Sequence, residues 1–279
     1  MNSTLILIQC QDKIGLVSQV TGVIVSYNLN IDAMHQFVDE GEFLFFARFE
    51  CSGPAIDSEV IRDELLKHLP GQAMVKVNPP SPKKLAILVT KEYHCLGDIL
   101  TRNFFHNTDA EVSCVIGNHT GLKSFTERFS LPFYYISHHE RSKEDFENEI
   151  LSILSEHQPD YLVLAKFMQI LSADFVGRYP NRIINIHHSF LPAFAGGRPY
   201  RQAFIRGVKL IGATAHFVTE SLDDGPIITQ QTITIDHAYT VAEMVRAGQE
   251  VEKTVLNKAI ALVTGDKVFV SGNKTIVFE

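Results

Sequence analysis

A cluster of prolines divides the chain into two parts and limits what each part can become. The segment Asn-Pro-Pro-Ser-Pro-Lys-Lys at residues 78–84 places three prolines in four positions. Proline lacks an amide hydrogen and restricts φ, so this segment can continue neither a helix nor a central strand. We therefore expect a short linker at residues 80–84 between two domains, at residues 1–79 and 85–279. With 279 residues, the chain is long enough to build two hydrophobic cores.

The first part shows strand and helix patterns in the order β-α-β-β-α-β. Residues 15–27 and 57–69 carry apolar side chains at helical spacing, and short apolar runs typical of strands flank them. This order predicts an α/β unit with the ferredoxin-like split βαβ fold. Such a unit leaves a sheet edge exposed, which favours pairing with a copy of itself.

The second part alternates short apolar runs with helical stretches. The runs are apolar throughout, which predicts a Rossmann-like domain with a mostly parallel sheet covered by helices on both faces. In such sheets, ligands bind beyond the carboxyl ends of the strands. The predicted strands lie at residues 85–90, 111–117, 133–136, 160–164, 183–186, 211–217 and 227–235, and a long helix is predicted at residues 240–263.

Two segments of the second part form a candidate site for acyl transfer. Asn185 and His187 end a predicted strand and, being two positions apart, face the same side of it. Asp223 lies in the loop at residues 222–226, which is rich in Gly and Pro and follows a later predicted strand. A hydrogen-bond donor, a titratable imidazole and a carboxylate are a minimal set for acyl transfer.

Composition argues against several other classes of protein. The net charge of -7 at pH 7 disfavours a nucleic-acid partner, and no apolar run approaches the roughly 20 residues of a membrane span. The first residues lack the basic stretch of a secretory signal. We therefore expect a cytoplasmic protein with no membrane partner and no metal site. The cysteines are scattered without zinc-binding spacing, as expected for buried apolar side chains in a reducing compartment: Cys10, Cys51, Cys95 and Cys114.

Three sequence blocks of the second part resemble those of the folate-dependent formyltransferases. They occur in the order and spacing of that family, at residues 163–172, 185–192 and 216–228. The resemblance extends over roughly residues 84–240 and implies that Asn185, His187 and Asp223 are catalytic. It also implies that a folate is the substrate and that no separate cofactor is required.

The first of these blocks supplies the expected binding surface for the pterin ring of the folate. The resemblance places the pterin against an apolar segment, with backbone groups reading its hydrogen-bonding edge. Without the resemblance, core packing is the alternative interpretation for the apolar members of the segment. Asp224 stands where transformylases commonly have glycine. The implied substrate-binding residues are Met168, Gln169, Ile170, Leu171 and Asp224.

The first part resembles the ACT family of small-molecule sensors through the segment Asp-Lys-Ile-Gly-Leu-Val at residues 12–17. Gly15 permits a tight turn, and the free amides of the following helix can hold a carboxylate. The resemblance implies an amino-acid effector, with glycine or methionine as candidates, and a homodimer or homotetramer. Asp12, Gly15 and Asn28 are the candidate effector contacts. Helix capping and a surface turn are the alternative interpretations for Asp12 and Asn28.

An ACT domain joined to a formyltransferase-like domain resembles the branch of the family that hydrolyses 10-formyltetrahydrofolate to formate and tetrahydrofolate. Transformylases carry a Gly-rich phosphate loop after the first strand of this domain, whereas residues 90–98 here contain one glycine beside Glu92 and Asp98. Such a loop does not easily wrap its amides around a phosphate, which disfavours a phosphorylated amine acceptor and leaves water. Two alternatives remain: formyl transfer to an amine, and a folate-sensing regulator without turnover.

Overall fold

The structure, a computed structural model, describes residues 2–192 and 199–279. These residues form two compact units. The first contains the chain up to Pro80 together with Asp266–Ser271 and Ile276–Glu279, and the second contains Ser81–Gly265 and Gly272–Thr275.

The first unit is a four-stranded antiparallel sheet with two helices, and it has the predicted ferredoxin-like topology. Its strands lie in the order β2-β3-β1-β4. Helix α1 buries Leu16, Val20, Val23 and Ile24, a spacing that places all four on one face of the helix. The elements are β1 (Asn2–Gln11), α1 (Leu16–Ser26), β2 (Asn30–Asp39), β3 (Leu44–Gly53), α2 (Ser58–His68) and β4 (Met74–Val77).

The second unit is built on a seven-stranded, mostly parallel sheet, as predicted. The strand order is β11-β10-β9-β8-β5-β6-β7, and β10 is antiparallel to both of its neighbours whereas the remaining pairs are parallel. A 3₁₀ turn at Thr120–Leu122 precedes α4. The elements are β5 (Lys83–Val89), α3 (His94–Phe104), β6 (Ala110–Gly117), α4 (Lys123–Glu127), β7 (Phe133–Tyr135), α5 (Lys143–His157), β8 (Tyr161–Ala165), α6 (Ala173–Gly177), β9 (Ile183–His187), α7 (Pro199–Arg206), β10 (Leu210–Phe217), β11 (Ile227–Thr234) and α8 (Val241–Thr264).

The order of the strands places a topological switch point between β5 and β8. From β5 the chain first builds β6 and β7 on one side and then returns to add β8 on the other. The carboxyl ends of β5 and β8 are tied together, since the Met168 backbone N–H donates to the Thr90 hydroxyl at 3.0 Å. Open parallel sheets bind ligands at such a point. The expected binding region therefore lies at the ends of these two strands.

The segment after β5 differs from the predicted loop at residues 90–98. Helix α3 begins at His94, so only residues 90–93 form a loop and Gly97 lies inside the helix. A Cβ at Gly97 would lie 3.6 Å from the Phe125 ring, a normal packing distance. The glycine therefore belongs to a helix packed against its neighbours, and the loop that remains contains no glycine.

The C-terminal residues differ from the predicted domain at residues 85–279, and the predicted linker at residues 80–84 is shorter because β5 begins at Lys83. Strands β12 (Val268–Ser271) and β13 (Lys274–Val277) form a hairpin about Gly272. Ile276 and Phe278 bury their side chains with Phe46 in one hydrophobic cluster, and Phe269 packs against it. This apolar contact explains why residues 266–271 and 276–279 belong to the first unit.

All four cysteines are buried and unpaired. Burial raises the pKa of Cys10, Cys51 and Cys114 to about 11, so these thiols stay protonated at neutral pH. They therefore serve as small apolar groups in the cores, as the sequence predicts.

Within residues 2–192 and 199–279, none of the helices combines the length and the apolar character that crossing a membrane requires.

Candidate active site

A cavity of about 380 Å³ opens at the carboxyl ends of β8 and β9. Asn185 and His187 of β9 line it together with Asp223, which lies in the loop between β10 and β11. Residues 167–171, which follow β8, form another part of the wall. The structure therefore brings the three residues of the predicted acyl-transfer set into one cavity.

Asn185 and His187 reach the cavity because both lie in β9. Residues two apart in a strand face the same side, and β9 extends one residue further than predicted, to His187. Strand β10 pairs with β9 in antiparallel register, which places His216 opposite Asn185 and Thr214 opposite His187. The neighbouring strand thus adds a second imidazole to the site.

His187 and Asp223 form an ion pair or hydrogen bond at the edge of the cavity. His187 Nδ1 lies 3.2 Å from Asp223 Oδ1. The hydrogen bond with His187 lowers the pKa of Asp223 despite its partial burial, so the carboxylate stays charged at neutral pH. His187 Nε2 is buried and has no hydrogen-bond partner among the described residues. That nitrogen remains for a substrate.

His216 orients the side-chain amide of Asn185. A carbonyl oxygen can only accept, so the 2.9 Å contact between His216 Nδ1 and the Phe217 carbonyl requires the proton on Nδ1. His216 Nε2 then has a free lone pair and accepts from Asn185 Nδ2 at 3.2 Å. Burial lowers the pKa of His216, which keeps the ring neutral and able to accept. This arrangement fixes which end of the Asn185 amide carries the N–H groups.

Sequence reasoning missed His216 as a functional residue. It stands at the start of the third block that resembles the formyltransferases, but its role depends on strand pairing. A single sequence does not reveal which residue of β10 lies opposite Asn185.

The predicted pterin-binding segment lies exposed beside the cavity. Met168 is 60% and Ile170 is 63% exposed, although both line the cavity. Core packing therefore does not account for these two side chains. Leu171 is half-buried and packs against the core of the second unit, so the core interpretation holds for it in part. A pair of exposed large apolar side chains at a cavity mouth suits a flat apolar ligand.

Both ends of this segment are anchored by side chains of other elements. The Thr90 hydroxyl accepts from the Met168 backbone N–H at its start. The buried carboxylate of Glu147, from α5, accepts from the Ser172 backbone N–H at 2.7 Å at its end. Asp224, also predicted to bind substrate, is exposed and does not line the described part of the cavity.

A buried charged network lies beside the cavity, centred on Glu252 of α8, which is 1% exposed. Its carboxylate contacts His94 Nε2 at 2.8 Å and Lys166 Nζ at 3.2 Å, and it accepts from the Tyr200 hydroxyl at 2.7 Å. Burial by itself would raise the pKa of Glu252, but the His94 hydrogen bond, the Lys166 ammonium and the Tyr200 hydroxyl lower it to about 2. Glu252 is therefore a carboxylate with three partners.

The described residues contain one group that could converge on a metal ion, formed by His94, Cys95 and Glu252. The Lys166 ammonium already lies beside this carboxylate, and a second cation there would meet its charge. Burial also raises the pKa of Cys95, which keeps its thiol protonated and unsuited to metal binding. The chemistry of the group fits an ion-pair network better than a metal centre.

The predicted effector contacts lie at the ends of α1 in the first unit. Gly15 is the N-cap of α1 with φ of 90°, a left-handed conformation that favours glycine. The Asp12 backbone N–H donates to the Phe43 carbonyl at 2.7 Å, and α1 has no side-chain cap, so Asp12 does not cap it. Asn28 follows the helix with φ of 57°, as the surface-turn interpretation requires. Their binding of an effector stays a prediction.

Comparison with known families places both parts of the chain. The formyl transferase family matches residues 83–260, and the ACT domain family matches residues 4–69. A protein described as formyltetrahydrofolate deformylase from Escherichia coli (strain K12) is 47% identical over 96% of this chain and 95% of its own length. The protein of that name from Bacillus subtilis (strain 168) is 38% identical over 98% of this chain and 93% of its own length.

Solved structures of both kinds of enzyme are similar to this chain. The crystal structure of a formyltetrahydrofolate deformylase from Pseudomonas syringae matches 99% of this chain and 94% of that chain, with a TM-score of 0.94 and 36% identity. The glycinamide ribonucleotide transformylase 1 of Symbiobacterium toebii matches 71% of this chain and 94% of that chain, with a TM-score of 0.67 and 28% identity. Similarity to the first extends over nearly the whole chain, whereas similarity to the second covers a smaller part.

Proposed function

This chain belongs to the formyl transferase family, in its branch of formyltetrahydrofolate deformylases with an ACT domain, and we propose that Asn185, His187 and Asp223 carry out its reaction. The enzyme is a hydrolase that converts 10-formyltetrahydrofolate to formate and tetrahydrofolate. The observation that carries the assignment of residues is the cavity they share, in which a carboxylate, an imidazole and an oriented amide converge.

Water adds to the formyl carbon, and the carbonyl oxygen takes the negative charge of a tetrahedral intermediate. Asn185 donates to that oxygen from the side-chain nitrogen that His216 holds in place. When His187 is protonated, its Nε2–H, which has no partner in the described residues, donates to the same oxygen. A single preorganised donor at such an oxyanion contributes roughly 3–4 kcal/mol at the transition state.

Asp223 orients the attacking water and accepts one of its protons. The bond between the formyl carbon and N10 then breaks, and N10 leaves with a proton delivered through His187. The resulting formic acid loses its proton to solvent, so water and 10-formyltetrahydrofolate yield formate, tetrahydrofolate and a proton. The contact between His187 Nδ1 and Asp223 Oδ1 suits this role, since a proton accepted by the carboxylate can pass along it to the imidazole.

The pterin lies against Met168, Gln169, Ile170 and Leu171. The exposure of Met168 and Ile170 beside the cavity supports this placement, because the two side chains are otherwise costly to leave in water. Asp224 is the weakest of the proposed contacts because it lies outside the described lining.

Replacing the carboxylate tests the mechanism. Asp223→Asn keeps the size of the side chain but removes the proton acceptor, so we expect kcat to fall by about 10²–10⁴-fold. Folate binding should change little, and a direct titration with 10-formyltetrahydrofolate measures it. Asp236→Asn is the matched control, since it makes the same change at an exposed aspartate of the same unit that is outside the described lining of the cavity. Near-normal formate release by Asp223→Asn would reject the role of Asp223.

Formyl transfer to an amine and folate sensing without turnover are the competing functions. Incubation with 10-formyltetrahydrofolate in the absence of any amine separates them. Hydrolysis produces free formate in stoichiometric amounts, whereas a strict transferase or a silent sensor produces none above the uncatalysed rate.

We propose that the ACT unit binds an amino-acid effector, glycine or methionine, near Asp12, Gly15 and Asn28, and that the enzyme is a homodimer or homotetramer. Helix α1 starts at the left-handed Gly15 and has no side-chain cap, which suits a carboxylate bound at its first turn. Calorimetric titration of the intact enzyme with each amino acid, together with formate-release kinetics, tests the effector. Absence of binding and of any kinetic change would reject it, and light scattering measures the oligomeric state.

A further inference from the structure

The crevice expected to bind ligands at the switch point of the sheet is filled by charged side chains. Lys166 follows β8 directly, and His94 begins the helix that follows β5. Both strands end at the switch point, where Thr90 and Met168 join them. Parallel sheets leave this crevice open for a substrate. Here Glu252 lies between Lys166 and His94 and contacts both.

The side chains that occupy the crevice come from four elements. His94 comes from α3, Lys166 from the end of β8, Tyr200 from α7 and Glu252 from α8. The side chains of His94 and Lys166 are each 5% exposed and that of Glu252 is 1% exposed. Carboxylate contacts of 2.7–3.2 Å hold them together. The result is a closed cluster in the interior.

The helices pack closely where Tyr200 meets α8. A Cβ at Gly248 would lie 2.0 Å from the Tyr200 hydroxyl oxygen, closer than any normal contact. Only glycine at this position lets Tyr200 reach Glu252, four residues further along the helix. The closure of the crevice therefore depends on a specific local fit.

The network also forms part of the catalytic cavity. Lys166 lines the cavity with Asn185 and His187. His188 lies between the network and the cavity, since its ring centroid is 5.1 Å from that of His187 and 6.3 Å from that of Tyr200. Buried ionisable groups cost desolvation free energy that apolar side chains would not. Such a network beside the proposed catalytic residues is thus evidence for a role in the reaction in addition to its effect on stability.

We infer that the His94–Lys166–Tyr200–Glu252 network determines the acceptor specificity of the enzyme, by occupying the space through which an amine would approach the formyl carbon and leaving room only for water. This inference rests on the proposed hydrolysis. It adds that the choice of water is enforced by a filled crevice, and not only by the absence of a phosphate-binding loop. None of the four residues carries a step of the proposed reaction, so they are specificity-determining rather than catalytic.

The inference predicts what happens when the crevice is opened. An amine nitrogen attacks the formyl carbon in place of water, the bond from that carbon to N10 breaks, and an amine proton passes to N10. The products are then an N-formyl amine and tetrahydrofolate. The ratio of N-formyl amine to formate reports which nucleophile reached the intermediate, and it is independent of the overall rate.

The experiment uses the intact enzyme with 10-formyltetrahydrofolate carrying a ¹³C-formyl group and with glycinamide as the probe amine. Carbon NMR measures N-formylglycinamide and formate together. The wild type should release formate and should form no more N-formylglycinamide than the control without enzyme. His94→Ala and Tyr200→Ala remove ring volume from two different helices, and each should raise the ratio at least tenfold. His237→Ala removes an exposed ring from the same unit and should keep the wild-type ratio.

Three results would overturn the inference. The first is N-formylglycinamide above background from the wild type, which requires no variant to fold. The second is an unchanged ratio in a folded, formate-releasing His94→Ala or Tyr200→Ala enzyme. Glu252→Gln keeps the volume of the network and removes only charge, so it should keep the wild-type ratio, and a raised ratio would contradict exclusion by volume. Failure of the wild type to release formate without an amine would instead reject the proposed hydrolysis, so the two failures are distinguishable.

Discussion

At the scale of single residues, one hydrogen bond decides which atom Asn185 presents to the substrate. The amide of Asn185 could bind with either its oxygen or its nitrogen toward the cavity. His216 Nδ1 must donate to the Phe217 carbonyl, so His216 Nε2 carries a lone pair and can only accept. The amide group that faces His216 Nε2 is therefore Asn185 Nδ2. The second N–H on the same nitrogen is then available to an oxyanion. The proposed role of Asn185 thus depends on a second residue, His216, that holds its side-chain amide in place.

Substitutions at these two positions should give losses of different size. Asn185→Ala removes the oxyanion donor, and we expect kcat to fall by about 10²–10³-fold. His216→Ala leaves the amide in place but unoriented, so its loss of kcat should be smaller. His216→Gln should recover part of that loss, since its side-chain carbonyl can accept the Asn185 N–H. Steady-state formate release measures all three. Equal losses for His216→Ala and His216→Gln would contradict an orienting role.

The residues of the site differ in how far the sequence predicts them. Asn185 and His187 follow from the two-residue period of a strand, and Asp223 from a polar loop among apolar runs. His216 and Glu252 do not follow, because their roles depend on pairing between strands and on contact between residues far apart in sequence. Glu252 and His94 are separated by 158 positions. No local pattern connects them.

At the scale of elements, most strands follow from the sequence because an apolar run in a buried sheet needs no further context. Helix α3 does not follow from the sequence in this way, because Gly97 makes the start of the helix resemble a loop. Its apolar residues Leu96, Ile99 and Leu100 are buried, so packing against the sheet outweighs the low helix propensity of glycine. Tertiary contacts of this kind are absent from the local pattern.

Replacing a helical glycine by alanine should change the free energy of unfolding in opposite directions in the two units. Gly22, in α1, has open space where a Cβ would lie, so Gly22→Ala should stabilise the first unit by about 0.5–1 kcal/mol. Gly248→Ala places a Cβ against the Tyr200 hydroxyl and should destabilise the second unit by about 1–3 kcal/mol. Urea denaturation of each variant measures the free energy of unfolding. A stabilising Gly248→Ala would show that α7 and α8 can separate without cost.

At the scale of the whole molecule, the chain does not divide into its two units at a single point. The chain passes from the first unit to the second at the linker prolines, and Phe269, Ile276 and Phe278 return the C-terminus to the first unit. These residues sit in short apolar strands that would fit either core. Their sequence pattern therefore predicts the hairpin but not the unit to which it belongs.

The stability of the second unit should depend on acid pH through Glu252. Its folded-state pKa of about 2 lies below the ordinary value of 4.5, so the unfolded chain binds the proton more readily between these pH values. The stabilisation is thus fully present above about pH 5 and is lost as pH falls toward 2. Its size is about 3 kcal/mol. Substitution of Glu252 alone should therefore remove this part of the pH dependence of stability.

Glu252→Gln removes the titrating group and should be markedly less stable than the wild type at pH 7, because Lys166 keeps a buried charge without its partner. As pH falls from 5 toward 2, only the wild type loses the Glu252 contribution, so the two free energies of unfolding should converge. Glu250→Gln, an exposed glutamate on the same helix, should follow the wild-type curve. Urea denaturation at pH 7, 5, 4 and 3 measures the three proteins. A constant difference between wild type and Glu252→Gln across this range would mean that Glu252 has the same pKa in the folded and the unfolded chain, so that its contacts with His94, Lys166 and Tyr200 do not lower it.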